Sequence, residues 1–221
     1  MIKAGDYYEV DSMNVFEYGE REAESVLVQM VDENDMALLN TEVEEIGKNT
    51  DVPFRLVAVR VDSWTSDLSP WPAPQAFGNE SFGDGAGATL QYVLSLCSDK
   101  TKNYYIGGYS LAGLFALWSV TQTDTFKGVA AASPSVWFPG FTDFLRNNSV
   151  RTQSVYLSLG DRESKTRNKT MGTVADKIID VKDIITSQNI ECFFEWNEGG
   201  HFKNPDKRTA NAFAYLLNSG K

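Results

Sequence analysis

One serine in the sequence stands where a catalytic nucleophile would be expected. Ser110 lies in the segment YIGGYSLAGLFALW, between a predicted strand and a predicted apolar helix. A serine hydroxyl attacks poorly at neutral pH unless a sharp turn exposes it and presents it to a base. Gly108 and Ala112, two positions before and after the serine, are small enough to let the chain pass through such a turn. The spacing predicts that Ser110 is a nucleophile; the alternative is that it only caps the helix.

The general base for this serine should lie later in the sequence. His201 is the only histidine in the 221-residue chain and lies in the segment EGGHF, after the last predicted strand and before the last predicted helix. That place completes the chain order serine, acid, histidine of a catalytic triad. The preceding Gly199 and Gly200 would let the ring turn toward Ser110, and imidazole is the side chain best suited to proton transfer near neutral pH. His201 is therefore the predicted general base.

The acid of the triad should follow the strand SVYLSLG, and two carboxylates are available there. Asp161 directly follows Gly160, which ends the strand, and Glu163 lies three residues beyond that glycine. Either could orient the imidazole and stabilise its protonated form. We favour Glu163, because a residue one turn beyond the glycine reaches out of the strand end more readily, and we keep Asp161 as the alternative acid.

An oxyanion needs backbone donors next to the nucleophile. The amide of Leu111 would be unpaired at the start of the helix and is the expected first donor. A second donor is expected from the Ser63–Trp64 region, after the strand LVAVRV, and we assign it to Trp64. Tyr109, beside the nucleophile, and Trp71 are candidate substrate-binding residues.

The connection over residues 62–85 is unusually long and rich in proline and aromatic residues for a strand-to-helix loop. In open α/β sheets, ligands bind at the carboxyl ends of the strands, where this loop must emerge. Four of its aromatic side chains could line a pocket there: Trp64, Trp71, Phe77 and Phe82. The alternative is that the loop packs these rings on the core.

The elements that position these residues alternate between short apolar strands and longer helical patterns, over one domain, residues 1–221. Inner strands that are apolar on both faces predict a mostly parallel central sheet with helices on both faces, a three-layer α/β sandwich. The alternating segment YYEVDSMNVFEYG predicts an antiparallel edge strand or hairpin at its start. No large lid domain is expected, so loop 62–85 would have to cover the site.

Composition narrows the classes of partner. The formal net charge is −10, which disfavours nucleic acid and anionic membranes as partners, and no apolar run is long enough to span a membrane. The amino-terminal segment lacks the apolar core of a secretory signal, so a cytoplasmic location is expected. Cys97 and Cys192 lack metal-ligand or disulfide spacing, and we predict no metal site.

Together these motifs resemble the α/β-hydrolase superfamily. The segments GGYSLAGLFALW, SPWPAP, SLGDRESKTRN and GGHF are similar to small esterases related to the enterochelin esterase and esterase D group. The resemblance begins near residue 25 and implies Ser110 as nucleophile, His201 as base and a carboxylate within 161–163 as acid. It also implies hydrolysis of carboxylic esters through an acyl-enzyme, without a cofactor. Ala112 departs from the glycine that is usual in the family motif.

The sequence thus favours a serine hydrolase that acts on a small-molecule ester. A thioesterase, amidase or acyltransferase could use the same triad, and a siderophore trilactone esterase is a narrower variant. A basic cluster in an acidic protein could attract an anionic substrate or could simply be a solvated loop: Arg162, Lys165, Arg167 and Lys169. A non-catalytic binding protein with an α/β-hydrolase-like fold is the alternative outside enzymes. The chain could also form a homo-oligomer.

Overall fold

The computed structural model describes residues 6–10, 13–78 and 80–219. The remaining residues of the predicted domain, and Asn79 of loop 62–85, lie outside the described part. The strands are β1 (Asp6–Val10), β2 (Met13–Gly19), β3 (Ser25–Val31), β4 (Phe54–Arg60), β5 (Asn103–Tyr109), β6 (Phe126–Ala132), β7 (Ser154–Gly160) and β8 (Glu191–Asn197). The helices are α1 (Glu33–Asn49), α2 (Trp64–Asp67), α3 (Ala86–Leu96), α4 (Leu111–Gln122), α5 (Phe141–Arg146), α6 (Val174–Ser187) and α7 (Pro205–Ser219).

These strands form one sheet of eight strands in the order β1-β2-β4-β3-β5-β6-β7-β8. The β1–β2 hairpin and the β2–β4 pair are antiparallel, and the remaining pairs are parallel. β3 is buried along its whole length, because helices cover both faces of the sheet. The predicted parallel sheet with an antiparallel start is confirmed.

The helices bury two apolar cores, one on each face. On one face α1 and α7 pack on the sheet through residues such as Leu39 and Phe213. On the other face α3, α4 and α6 bury residues such as Leu90, Phe115 and Ile178. Every residue of α4 from Leu111 to Thr121 is buried, so this helix is held on all sides. The predicted three-layer sandwich is confirmed.

The sheet order brings the candidate site residues to one edge. β5, β6, β7 and β8 are consecutive neighbours and run parallel, so their carboxyl ends lie side by side. β5 ends at Tyr109, directly before Ser110, and β7 ends at Gly160, directly before the two candidate acids. β8 ends four residues before His201. Three loops that are far apart in sequence therefore meet at this edge.

Loop 62–85 joins β4 to α3. It contains α2, which the sequence did not predict, and an isolated bridge between Ala73 and Phe82. Ser63 caps α2 by accepting a hydrogen bond from the amide of Ser66 at 3.2 Å. The loop therefore contains local structure of its own.

Candidate active site

Ser110 lies on a strained turn between β5 and α4. Its backbone angles are φ 56° and ψ −117°, a region that costs a residue with a side chain on the order of 1–3 kcal/mol. Gly108 lets this turn close, because a Cβ there would lie 2.5 Å from the Cβ of Ala112. Within the described chain the Ser110 hydroxyl makes no capping hydrogen bond to α4. The turn therefore leaves the hydroxyl free for another partner.

That partner is the ring of His201. Ser110 Oγ lies 3.1 Å from His201 Nε2, and His201 Nδ1 lies 2.7 Å from Glu163 Oε2. Because the carboxylate accepts, Nδ1 holds the ring proton and the lone pair of Nε2 faces the serine. Such a line of groups can take the serine proton while the oxygen attacks an electrophile. A second hydroxyl, Ser135 Oγ, lies 3.2 Å from Ser110 Oγ.

The carboxylate of Glu163 is buried and fully engaged. Oε1 accepts from the Ser133 hydroxyl at 2.7 Å, the Gly160 amide at 2.7 Å and Arg208 Nη1 at 2.9 Å. Burial by itself raises the pKa of Glu163, but hydrogen bonding and attraction from His201, with the Ser133 and Gly160 donors, outweigh it. The pKa is held below its usual value, so Glu163 is ionised at neutral pH.

Asp161 has a different position. Its Oδ1 accepts from the amide of Gly199 at 2.7 Å, and its own amide donates to the carbonyl of Asn197 at 2.8 Å. It joins the loop after β7 to the loop that carries His201. Of the two carboxylates that the sequence left open, the structure thus places Glu163 against the imidazole and Asp161 against the backbone.

The two predicted oxyanion donors are the first residues of helices. Leu111 begins α4 and Trp64 begins α2, where amides have no partner within the helix. The neighbouring amide of Ser63 already donates to Asp67 Oδ2 at 2.8 Å. Trp64 lines the same cavity as Ser110. Within the Ser63–Trp64 region, this leaves the Trp64 amide as the candidate for the second donor.

An open cavity of about 510 Å³ adjoins Ser110 and His201. Its walls are largely apolar, and its lining residues are Asp32, Asn34, Asp35, Leu38, Trp64, Phe77, Tyr109, Ser110, Trp137, Met171, His201, Phe202 and Pro205. Phe202 is 92% exposed at the mouth and contacts the His201 ring edge-on, with centroids 5.3 Å apart. The cavity is large enough for a ligand with a substantial apolar group.

Trp71, a predicted substrate-binding residue, is not among the residues that line this cavity. Trp71 Nε1 donates to the carbonyl of Pro139 at 2.9 Å, and its ring packs against Phe138 and Phe144. Phe82 is likewise buried against the core. These rings find apolar neighbours near α5, so they anchor loop 62–85, while Trp64 and Phe77 of the same loop line the cavity.

Tyr109 lines the cavity, but its hydroxyl hydrogen-bonds to neighbouring residues of the site. The hydroxyl donates to the carbonyl of His201 at 2.5 Å and accepts from Arg208 at 3.1 Å. Burial is the main cause that raises the pKa of Tyr109 to about 12. The phenol therefore stays protonated and holds the histidine loop beside the nucleophile.

A smaller cavity of about 230 Å³ also adjoins His201. It shares Trp137, Met171 and Phe202 with the larger one. Two members of the basic cluster, Arg162 and Lys165, line it. The candidate site therefore adjoins one largely apolar cavity and a second one whose lining includes two cations as well as the Glu163 carboxylate.

Sequence reasoning missed three polar residues of the site. Ser133 and Ser135 follow β6 in the segment SPS, and Arg208 lies in α7. The serines could have been found as hydroxyls at the carboxyl end of a strand between β5 and β7. Arg208 could have been found as a cation among the apolar positions of the last helix, where a charge is rare unless it is paired.

Solved structures share this fold at low sequence identity. A siderophore hydrolase, EstA from Aspergillus nidulans, is 17% identical with a TM-score of 0.73, covering 100% of this chain and 95% of that one. An IroE-like serine hydrolase from Shewanella oneidensis is 13% identical with a TM-score of 0.78, covering 98% and 80%. The enterobactin hydrolase IroE, in complex with DFP, is 16% identical with a TM-score of 0.65, covering 99% and 94%. The predicted α/β-hydrolase fold is confirmed, and these neighbours belong to the group that the sequence motifs resemble.

Unlike the comparison of structures, the comparisons by sequence found no match. No protein-family model matches the chain, and no curated protein matches it. Among the described residues, no helix combines the length and apolar character that crossing a membrane requires.

Proposed function

We propose that this protein is a serine hydrolase of carboxylic esters with the triad Ser110, His201 and Glu163. The observation that carries the proposal is the hydrogen-bonded line from Ser110 Oγ to His201 Nε2, at 3.1 Å, and from His201 Nδ1 to Glu163 Oε2, at 2.7 Å. The strained turn at Ser110 adds support, because strain of this kind concentrates at functional sites.

In the first half of the reaction, Ser110 Oγ attacks the ester carbonyl carbon and its proton passes to His201 Nε2. The amides of Leu111 and Trp64 donate to the oxyanion of the tetrahedral intermediate. The bond to the leaving alcohol then breaks, and His201 donates its proton to the alcohol oxygen. Glu163 stabilises the imidazolium while it exists, and an acyl group remains on Ser110.

In the second half, water replaces the alcohol. His201 takes a proton from water as the water oxygen attacks the acyl carbon. The bond to Ser110 breaks, His201 returns the proton to Oγ, and the carboxylic acid leaves. His201 passes its first proton to the alcohol and its second to Ser110 Oγ, so the proton transfers balance and no step of this cycle uses a cofactor.

A narrower candidate is an ester or lactone of a siderophore. Two of the three structural neighbours described above are named for siderophore or enterobactin hydrolysis. Arg162 and Lys165 beside the smaller cavity would attract an anionic substrate of this kind. Hydrolysis of enterobactin faster than that of neutral aryl esters would favour this candidate, and equal or slower hydrolysis would favour a general esterase.

The test compares the wild-type protein with Ser110→Ala. Both are incubated with p-nitrophenyl acetate and with a fluorophosphonate probe, and p-nitrophenolate release and covalent labelling are measured. We expect labelling to be abolished and turnover to fall by on the order of 10⁶-fold in Ser110→Ala, because the nucleophile is removed. A wild-type protein that neither labels nor turns over would instead favour the non-catalytic binding protein.

Other features stay predictions from the sequence. These are the cytoplasmic location, the lack of nucleic-acid and membrane partners, and a possible homo-oligomer. Thioesterase and acyltransferase activities share the same chemistry at Ser110, and thioester and alcohol-acceptor assays of the same variant pair separate them.

A further inference from the structure

Arg208 is a buried cation beneath the candidate triad. It lies in the first turn of α7, and its side chain is 4% exposed. Nη1 donates to Glu163 Oε1 at 2.9 Å, to Ser133 Oγ at 3.0 Å and to the Tyr109 hydroxyl at 3.1 Å. A buried guanidinium is costly unless its donors are satisfied, and here one nitrogen meets three oxygen atoms.

The second nitrogen of the same guanidinium contacts the histidine loop. Arg208 Nη2 donates to the carbonyls of Glu198 and Gly200, each at 3.2 Å. These residues directly flank the turn that leads to His201. Arg208 thus contacts all three segments that carry the triad: the end of β5 through Tyr109, the loop after β7, and the loop after β8.

The contacts on Glu163 are divided between its two oxygens. Oε1 receives Arg208, Ser133 and Gly160, whereas Oε2 faces His201. We propose that Arg208 is a positioning residue that fixes the Glu163 carboxylate and the histidine loop in the geometry required for proton transfer. This proposal deepens the proposed function and rests on it for its kinetic consequences.

The residue type fits this task. The guanidinium is planar and presents several donors in a fixed fork, so its two terminal nitrogens can serve the carboxylate and the loop carbonyls at once. A lysine ammonium is a single point charge and cannot hold both sets in one geometry. Arg208→Lys should therefore keep the positive charge without holding both the Glu163 carboxylate and the histidine loop in place.

The test compares Arg208→Gln and Arg208→Lys with a matched control, Lys207→Gln. Lys207 precedes Arg208 in α7 and is exposed, so the control removes a cation from the same helical turn. With p-nitrophenyl acetate we expect kcat to fall about 100-fold in Arg208→Gln, with KM nearly unchanged, because small misplacement of reacting groups costs about this much. Arg208→Lys should lose about tenfold, and Lys207→Gln should match the wild type.

A second readout needs no substrate. His201 is the only histidine in the sequence, so protein labelled with ¹⁵N-histidine and purified with a histidine-free tag has a single imidazole to observe. A proton held between Nδ1 and a carboxylate resonates far downfield. We expect this resonance in the wild type and in Lys207→Gln, and its loss or broadening in Arg208→Gln.

A third readout asks whether Arg208 acts in part through Glu163. In the Glu163→Gln background, a further Arg208→Gln substitution should cost about tenfold in kcat rather than about 100-fold, because one of the two elements that Arg208 positions is already disabled while the histidine loop is not. Losses that multiply in full would mean that Arg208 does not act through the Glu163 carboxylate and would overturn the proposal as stated.

The outcomes separate this proposal from the proposed function. A folded Arg208→Gln that keeps both the downfield proton and the activity would overturn the positioning role alone. Loss of the downfield proton in Arg208→Gln, with a wild type that neither labels nor turns over, would overturn the esterase function and support the positioning role. If Arg208→Gln does not fold, Arg208→Lys decides: wild-type behaviour in both readouts would overturn the proposal.

Discussion

Glu163 and Glu42 are both buried, but they lie in opposite surroundings. Glu163 Oε1 receives three donors and Oε2 faces His201. Glu42, in α1, is 5% exposed, and its Oε1 finds no hydrogen-bond partner among the described residues. Gln29 Oε1, close by, is also without one in the described chain. Both oxygens of the Glu163 carboxylate have partners, whereas one oxygen of the Glu42 carboxylate has none in the described chain.

The difference sets the charge of each group. Burial is the largest cause that raises the pKa of Glu42 to about 8; Asp35 and Asp206 add to it, and hydrogen bonding with Gln29 opposes it. The pKa of Glu163 is lowered in spite of burial. At neutral pH Glu163 is therefore an anion and Glu42 is mostly protonated. The comparison teaches that partners, rather than burial alone, decide whether a buried carboxyl keeps its charge.

Within this comparison, the largest expected effect comes from replacing each of the two glutamates by glutamine in turn. Glu163→Gln should lower kcat by about 10³- to 10⁴-fold, because the amide neither orients the imidazole correctly nor stabilises its protonated form. Glu42→Gln is the matched control and should leave kcat within about twofold. The measurement is kcat for p-nitrophenyl acetate at pH 7.5, with thermal unfolding of both variants as the check on folding.

That pair of variants can also contradict the comparison. Equal losses of kcat in both would mean that the charge on Glu163 has no special role. An unchanged kcat in a folded Glu163→Gln would remove Glu163 from the triad.

A smaller effect is expected in the pH dependence of stability. The folded protein holds the Glu42 proton up to about pH 8, whereas the unfolded chain releases it near the ordinary value of 4.5. The contribution of this group is therefore fully present below pH 4.5 and is lost as pH rises toward 8. Relative to wild type, Glu42→Gln should be similar in unfolding free energy at pH 5 and more stable by on the order of a few kcal/mol at pH 9.

Urea unfolding of both proteins across this range measures the difference. For Glu163 the sign is opposite: its lowered pKa contributes stability above the ordinary carboxyl value, lost as pH falls through the folded value. A Glu42→Gln difference that stays flat from pH 5 to pH 9 would show that Glu42 is ionised in the folded state.

Much of the fold followed from the sequence because hydrophobic patterns report directly on burial. The apolar run of β3 and the apolar pattern of α4 predicted a covered parallel sheet, and both are buried as expected. The start of α1 is set by a polar cap, which a hydrophobic pattern does not report. In the structure Asp32 caps α1 by accepting from the amides of Asn34 and Asp35, so the helix begins at Glu33.

The sequence predicted the site residues whose role follows from their order in the chain. It did not predict the positions of side chains that depend on packing against residues distant in sequence. Ser110 and His201 were assigned from a motif and from a place in the sequence, and the structure brings their side chains within 3.1 Å. Trp71 was assigned from its location in a long loop, but the direction of a ring depends on neighbours such as Phe138 that are distant in sequence. Arg208 was missed because its partners come from the end of β5 and from three separate loops.

Asp161 gives the smallest expected effect and the closest contrast with Glu163, two residues away. Its Oδ1 accepts one hydrogen bond, from the Gly199 amide, and asparagine at this position keeps an oxygen that can accept it. Asp161→Asn should therefore change kcat less than threefold and stability by less than about 1 kcal/mol. Asp161→Ala should cost about 1 kcal/mol of stability and a few-fold in kcat, because the histidine loop loses one tether. A loss in Asp161→Asn as large as that in Glu163→Gln would mean that the loops rearrange in solution and that Asp161 orients the imidazole.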